Sequence, residues 1–172
     1  MLTSSAFTKT VRPMLKGSFV RLDFVSEIDM LDFVTVVSDH LGRTAGLNDD
    51  ALYGVSVAVR ESVMNAIVHG NGHDRDKRVF VEFAWMDTDP QAIWIRVRDQ
   101  GPGFDQATLA DPLAPENQMK PSGRGIFLIR TFMDEMTLQR AAEGGMEIVM
   151  VKRVQPQASN RPEADSEITS DR

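Results

Sequence analysis

The run VAVRESVMNAIVHGN, residues 57 to 71, carries Glu61, Asn65 and His69 at intervals of four. On a helix this spacing stacks a carboxylate, an amide and an imidazole on one stripe, one turn apart. Together they offer a proton acceptor, a neutral oxygen and a titratable nitrogen. Most such stripes are only solvated faces. What the rest of the chain sets beside this one decides between the two readings.

Two glycine motifs are the candidates. DQGPGF (99–104) follows a strand-like pattern, and by itself it reads as a tight turn. SGRG (122–125) opens a helix-like pattern. Ser122, Gly123 and Gly125 would leave backbone N–H groups bare at the positive end of that helix, which makes either an anion site or a plain cap. Gly-x-x-x-x-Gly-Lys-Ser/Thr is absent, and Gly-x-Gly-x-x-Gly does not follow a first strand, which excludes a P-loop enzyme and a dinucleotide-binding fold.

The elements that must position these residues are legible from period and punctuation. GSFVRLDF (17–24) alternates as a strand. Ser26, Glu27 and Asp29 start a helix carrying Ile28, Leu31, Val34 and Leu41, which ends near Gly42 to Gly46. Asn48 caps a second helix, with Asp49 and Asp50 in its first turn and Gly70 as its stop after His69. RVFVEFAW (78–85) and AIWIRVRD (92–99) form an antiparallel hairpin across MDTDPQ. Residues 100 to 122 show little period and hold four prolines, the mark of a functional loop. GRGIFLIRTFMDE (123–135) is helical through Ile126, Ile129 and Met133, and MTLQRA and MEIVMVKR pair around Glu143 to Gly145. The expected fold is an α+β two-layer sandwich: a mixed, mostly antiparallel sheet covered on one face by three helices. Its parts would be an N-terminal extension over 1–16, one domain over 17–153 and a disordered polar tail over 154–172.

Composition narrows the function further. A chain of 172 residues supports one domain with a real core. There is no cysteine, which removes disulfides and thiol chemistry and fits a reducing cytoplasm; three histidines leave little for a zinc site. A net charge of -6 argues against general nucleic-acid binding. No uninterrupted apolar run approaches the roughly 18 residues of a membrane span. No signal-peptide pattern opens the chain, so a cytoplasmic protein is expected.

In combination the motifs are far more specific than singly. Glu61-x-x-x-Asn65, Asp99-x-Gly101-x-Gly103 and Gly123-x-Gly125, in this order, resemble the ATP-binding (Bergerat-fold) domain of the GHKL superfamily of gyrase, heat-shock chaperone, histidine kinase and mismatch-repair ATPases. RESVMNAIVHGN, VRDQGPGF and SGRGIFLIRTFMDEM are most similar to the bacterial anti-sigma factor serine/threonine kinases, over roughly residues 17 to 153. The resemblance implies that Asp99 accepts from the adenine amine and that Gly101 and Gly103 admit the purine. Asn65 would hold Mg2+, and Gly123, Gly125 and Arg124 or Lys120 would meet the phosphates. Glu61 would be the catalytic base. It also implies a homodimer, for which strand 17–24 is the candidate edge, and the long loop over residues 104 to 122 is expected to be a lid ordered by phosphate contacts. Met146 stands where family members commonly have Thr beside the adenine, which removes one implied base contact.

The expected function is thus an ATP- and Mg2+-dependent anti-sigma kinase. It would phosphorylate a small STAS-type anti-sigma factor antagonist and sequester a sigma factor or other output protein, with no direct nucleic-acid or membrane partner. The alternative is an ATP-binding partner-switching module that titrates a partner without phosphoryl transfer. Three residues are read from their local setting. His69 is expected to bond backbone near its helix end, and His40 to be an exposed helix residue. Asn71 reads equally as a turn residue or as one reaching the phosphates or the lid.

Overall fold

The computed structural model describes residues 15–86, 91–103 and 121–155. Strand β1 spans Leu15–Val25, β2 Arg78–Met86, β3 Ala92–Arg98, β4 Glu135–Arg140 and β5 Met146–Arg153. The helices are α1 (Met30–Thr44), α2 (Asp49–Asn65) and α3 (Pro121–Phe132), with a π turn over Ala66–Gly70 continuing α2. The sheet order is β1-β2-β3-β5-β4. Every pairing among the described strands is antiparallel, so no parallel pair makes the sheet mixed. The expected α+β sandwich is what the chain forms. The lid expected over 104–122 lies almost wholly outside the described residues, as do the far ends of the chain.

Alternation along the strands divides the sheet into two faces. Val81, Phe83, Ile95, Val97, Ile148 and Met150 point to the helix layer and are almost completely buried there. They meet Leu31 and Val34 of α1, Val55, Val59 and Val63 of α2, and Ile129 of α3 in one continuous core. Methionines at 133, 146 and 150 are buried, as core filling requires. Ile28, expected on the inner face of α1, precedes that helix and is exposed. The opposite sheet face holds a smaller cluster of Ala84, Met86, Ala92, Trp94, Val149 and Val151. Beside it Arg96 is ringed by Glu82, Glu143 and Glu147. Burial works against the Arg96 charge, but the three carboxylates outweigh it and its pKa is raised.

The segment Asp49–Gly70 is, at 22 residues, long and apolar enough by composition to cross a membrane. Half of that window is buried inside the domain, however, and its apolar side is the centre of the core. Its length serves the site. Asn48 accepts from the Ala51 N–H at 2.8 Å to start it, as a capping asparagine should.

Candidate active site

Glu61 and Asn65 sit in the last turns of α2 with half-buried side chains. α3 crosses them at Gly125. A Cβ on that buried glycine would lie 2.7 Å from Glu61 Oε2 and 3.3 Å from Asn65 Nδ2, so nothing larger fits without moving the carboxylate. Two motifs 60 residues apart in the chain therefore share one wall. Pro121 opens α3, where its missing N–H costs nothing, and Ser122 and Gly123 fall in the first turn, whose N–H groups lack intrahelical acceptors. Gly125 lies beyond that turn, so its role visible here is steric. Arg124 is exposed at the same helix end.

His69 does not keep its place on the stripe. The backbone after Asn65 widens into π geometry, with the Asn71 N–H bonded to the Ala66 carbonyl at 2.8 Å, five residues back. Such a turn commonly marks a functional site, and it rotates the residues that follow off an α-helical stripe. His69 ends up exposed, as does His40. The helical run does stop at Gly70, as expected, but without a left-handed residue there: the positive φ angles come later, at Gly72 (65°) and His73 (61°). The reason for a glycine at 70 is instead the neighbour it faces.

That neighbour is Asp99, at the end of β3 and 4% exposed. Its N–H donates to the Met146 carbonyl at 3.0 Å. Its Oδ1 accepts from the N–H groups of Gly101, at 2.8 Å, and Met146, at 3.0 Å. Oδ2 has no donor among the described residues and lies against Gly70, where a Cβ would be 2.3 Å away. On the other side a Cβ at Gly145 would be 2.0 Å from the Asp99 carbonyl oxygen, and φ is +82° there. The carboxylate is thus boxed between two glycines. One oxygen is saturated by backbone, which offsets the cost of burial, and the other remains an acceptor. An acceptor held this way suits an exocyclic amine and repels a carbonyl at the same place.

The adjoining glycines have neighbours of their own. A Cβ at Gly101 would strike the Gly70 carbonyl oxygen at 1.9 Å, and Gly103, at φ +69°, lies against Arg140. Arg140 in turn donates to the Pro102 carbonyl at 2.7 Å, tying this loop to β4. Behind the site, the β4–β5 turn is held from the far face through Glu143. Its own backbone N–H and then Arg96 and Arg98 keep that carboxyl below its ordinary range, against a smaller effect of burial. Met146 is buried, and its backbone pairs with Asp99 in both directions.

Sequence reasoning missed Gly70 and Gly145 as site residues and left Asn71 open. Asn71 proves to be buried. The signals were there as HGN after the Glu61–Asn65 stripe and GG before Met146, but both read as punctuation.

Comparison with known proteins agrees with this fold. Residues 28–152 match the family described as the histidine kinase-like ATPase domain. The anti-sigma F factor of Clostridium novyi is 28% identical over 142 residues, 81% of this chain and 97% of that protein. The serine-protein kinase RsbW of Listeria monocytogenes is 28% identical over 120 residues, 66% of this chain and 73% of that one. Among solved structures, the RsbU and RsbW domains of Rv1364c from Mycobacterium tuberculosis share the fold, with a TM-score of 0.59 at 16% identity over 81% of this chain and 34% of that one. The chain therefore belongs to the histidine kinase-like ATPase domain family, the GHKL class to which its three motifs point.

Proposed function

We propose that this protein is an ATP- and Mg2+-dependent serine/threonine protein kinase of the anti-sigma regulatory type. The single observation that carries the reading is the wall formed by Glu61, Asn65 and Gly125. It sets a proton acceptor beside a neutral ligand oxygen under the N-terminus of α3, one π turn away from the purine-reading carboxylate of Asp99. The names of the relatives, anti-sigma F factor and serine-protein kinase, support the same class.

Asp99 binds the adenine amine through its free oxygen and disfavours guanine. Asn65 offers its side-chain oxygen to Mg2+, which, when bound, neutralises charge on the phosphates and fixes their geometry. Ser122 and Gly123 direct N–H groups toward the phosphates, and Arg124 adds positive charge. Glu61 accepts the proton of a serine or threonine hydroxyl as its oxygen bonds to the γ-phosphorus and the bond to the ADP oxygen breaks. The substrate is a small STAS-type antagonist, and the same protein sequesters a sigma factor or other output partner. Competition for one surface, with phosphorylation weakening only the antagonist, makes this a switch. The working unit is a cytoplasmic homodimer, for which the absence of cysteine and the place of β1 at the end of the sheet among the described residues are the supports.

Incubation with labelled ATP, Mg2+ and candidate antagonists from the same genome tests the reading. Label on an antagonist is expected. Glu61→Gln should keep ATP binding while transfer falls about 10²- to 10⁴-fold, the usual worth of a positioned base. Asn65→Ala should weaken both. Undiminished transfer by Glu61→Gln would remove Glu61 as the base. No transfer to any candidate, with tight ATP-dependent binding of a sigma factor, would mean a titrating module instead.

A further inference from the structure

Asn71 is 2% exposed, and its amide joins the end of the helix to the strand that starts seven residues later and to the loop 29 residues on. Its Nδ2 donates to the Arg78 carbonyl at 3.0 Å, and its Oδ1 accepts from the Gln100 N–H at 2.8 Å. The Gln100 side chain closes the ring, its Oε1 accepting from the Arg78 N–H at 2.7 Å. The three corners are the end of the Glu61–Asn65 helix, the first residue of β2, and the residue directly after Asp99. Gly70, one residue before Asn71, is the glycine packed against both Asp99 and Gly101.

We infer that Asn71 is a positioning residue that sets the purine-reading carboxylate of Asp99 relative to Glu61 and Asn65, and so sets the preference for ATP over GTP. This rests on the ATP-binding reading of the site. The bonds on the Asp99 carboxylate itself come from Gly101 in its own loop and Met146 on the neighbouring strand, and they fix it to the sheet. Asn71 supplies the link from that loop to the helix layer, where the phosphate-end residues stand. Its two bonds need an acceptor and a donor on one short side chain. Aspartate keeps the acceptor for Gln100 but sets a second oxygen against the Arg78 carbonyl. Alanine leaves a backbone N–H and a C=O without their partner.

A merely structural residue would lower the melting temperature and weaken every nucleotide alike. A positioning residue for Asp99 acts on the base. Titration calorimetry with MgATP and MgGTP, on the full chain and well below each melting temperature, separates the two. In Asn71→Ala and Asn71→Asp, ATP affinity should fall about five- to fiftyfold, the range for losing a buried hydrogen bond, and GTP affinity should change little. In transfer assays KM for ATP should rise while kcat holds. Gln100→Ala removes only the outer bond of the ring and should give a smaller shift in the same direction. It also carries the test if the Asn71 variants do not fold. Unchanged ATP affinity in the variants, or equal losses for ATP and GTP, would overturn the inference while leaving the site reading intact. A wild-type protein that bound neither nucleotide would overturn both.

Discussion

At the scale of single residues, the two oxygens of Asp99 have different tasks, and that makes its amide variant informative. Oδ1 already accepts two backbone N–H groups. In Asp99→Asn the side-chain oxygen must take that place, because an NH2 there would face two donors. The NH2 is then forced to the outward position, against Gly70 and the bound base. An acceptor for the adenine amine becomes a donor, which favours the guanine carbonyl. ATP affinity should fall by about 1 to 3 kcal/mol, and the preference over GTP should shrink or reverse in competition binding. Retention of the full wild-type preference would mean that Asp99 does not read the base. Asp99, Asn65 and Glu61 could be put forward as site candidates from the sequence because their types name their chemistry. Gly70, Asn71 and Gly145 could not. Their roles are contacts with Asp99 or its neighbour across 29 to 47 positions, as the Asn71–Gln100 and Met146–Asp99 bonds illustrate, and no local pattern encodes such a contact.

At the scale of elements, the helix layer was easily read, since capping at Asn48 and period through α2 and α3 follow local rules. The π turn was not, because widening by one residue depends on what the helix end must meet rather than on its own composition. Gly70 shows the conflict as a magnitude. Helix propensity alone makes Gly70→Ala stabilising by up to about 1 kcal/mol. A methyl group 2.3 Å from the Asp99 carboxylate opposes that, and the carboxylate is held by backbone that cannot yield. Burying a displaced or poorly paired carboxylate costs several kcal/mol, so the contact wins over the propensity. Gly70→Ala should therefore lower the melting temperature and weaken MgATP binding at least about tenfold, equivalent to about 1.4 kcal/mol. A variant that is more stable and binds ATP as before would show that the end of α2 can shift freely from Asp99. Similarly, Gly125 was expected for its N–H, whereas the packing of α3 on Glu61 and Asn65 shows that a side chain there would have to displace the Glu61 carboxylate.

At the scale of the whole molecule, β1 is the last strand on one side of the sheet among the described residues, and its edge would be the one to meet a second copy. Its outward face runs Phe19, Arg21, Asp23, Val25, opposite to the core residues Val20, Leu22 and Phe24. Phe19 is 46% exposed and Val25 36%. The pattern is self-complementary. Antiparallel pairing of two copies about a two-fold axis at Leu22 would set Phe19 opposite Val25 of the second copy and Arg21 opposite Asp23 of the second copy. Both kinds of cross-strand pair are favourable, apolar with apolar and opposite charges together. Shifting the register by two residues along either strand separates those charge pairs, so one register is preferred. Single charges at the apolar positions should then weaken the dimer, since Phe19→Lys faces valine and Val25→Glu faces phenylalanine. The two together should restore it, because lysine then meets glutamate at both ends of the pairing. Light scattering at micromolar concentration should give a dimeric mass for the wild type, a lower average mass for each single variant, and recovery in the double variant. A monomeric wild type would remove the dimer, and loss without recovery in the double variant would remove this register.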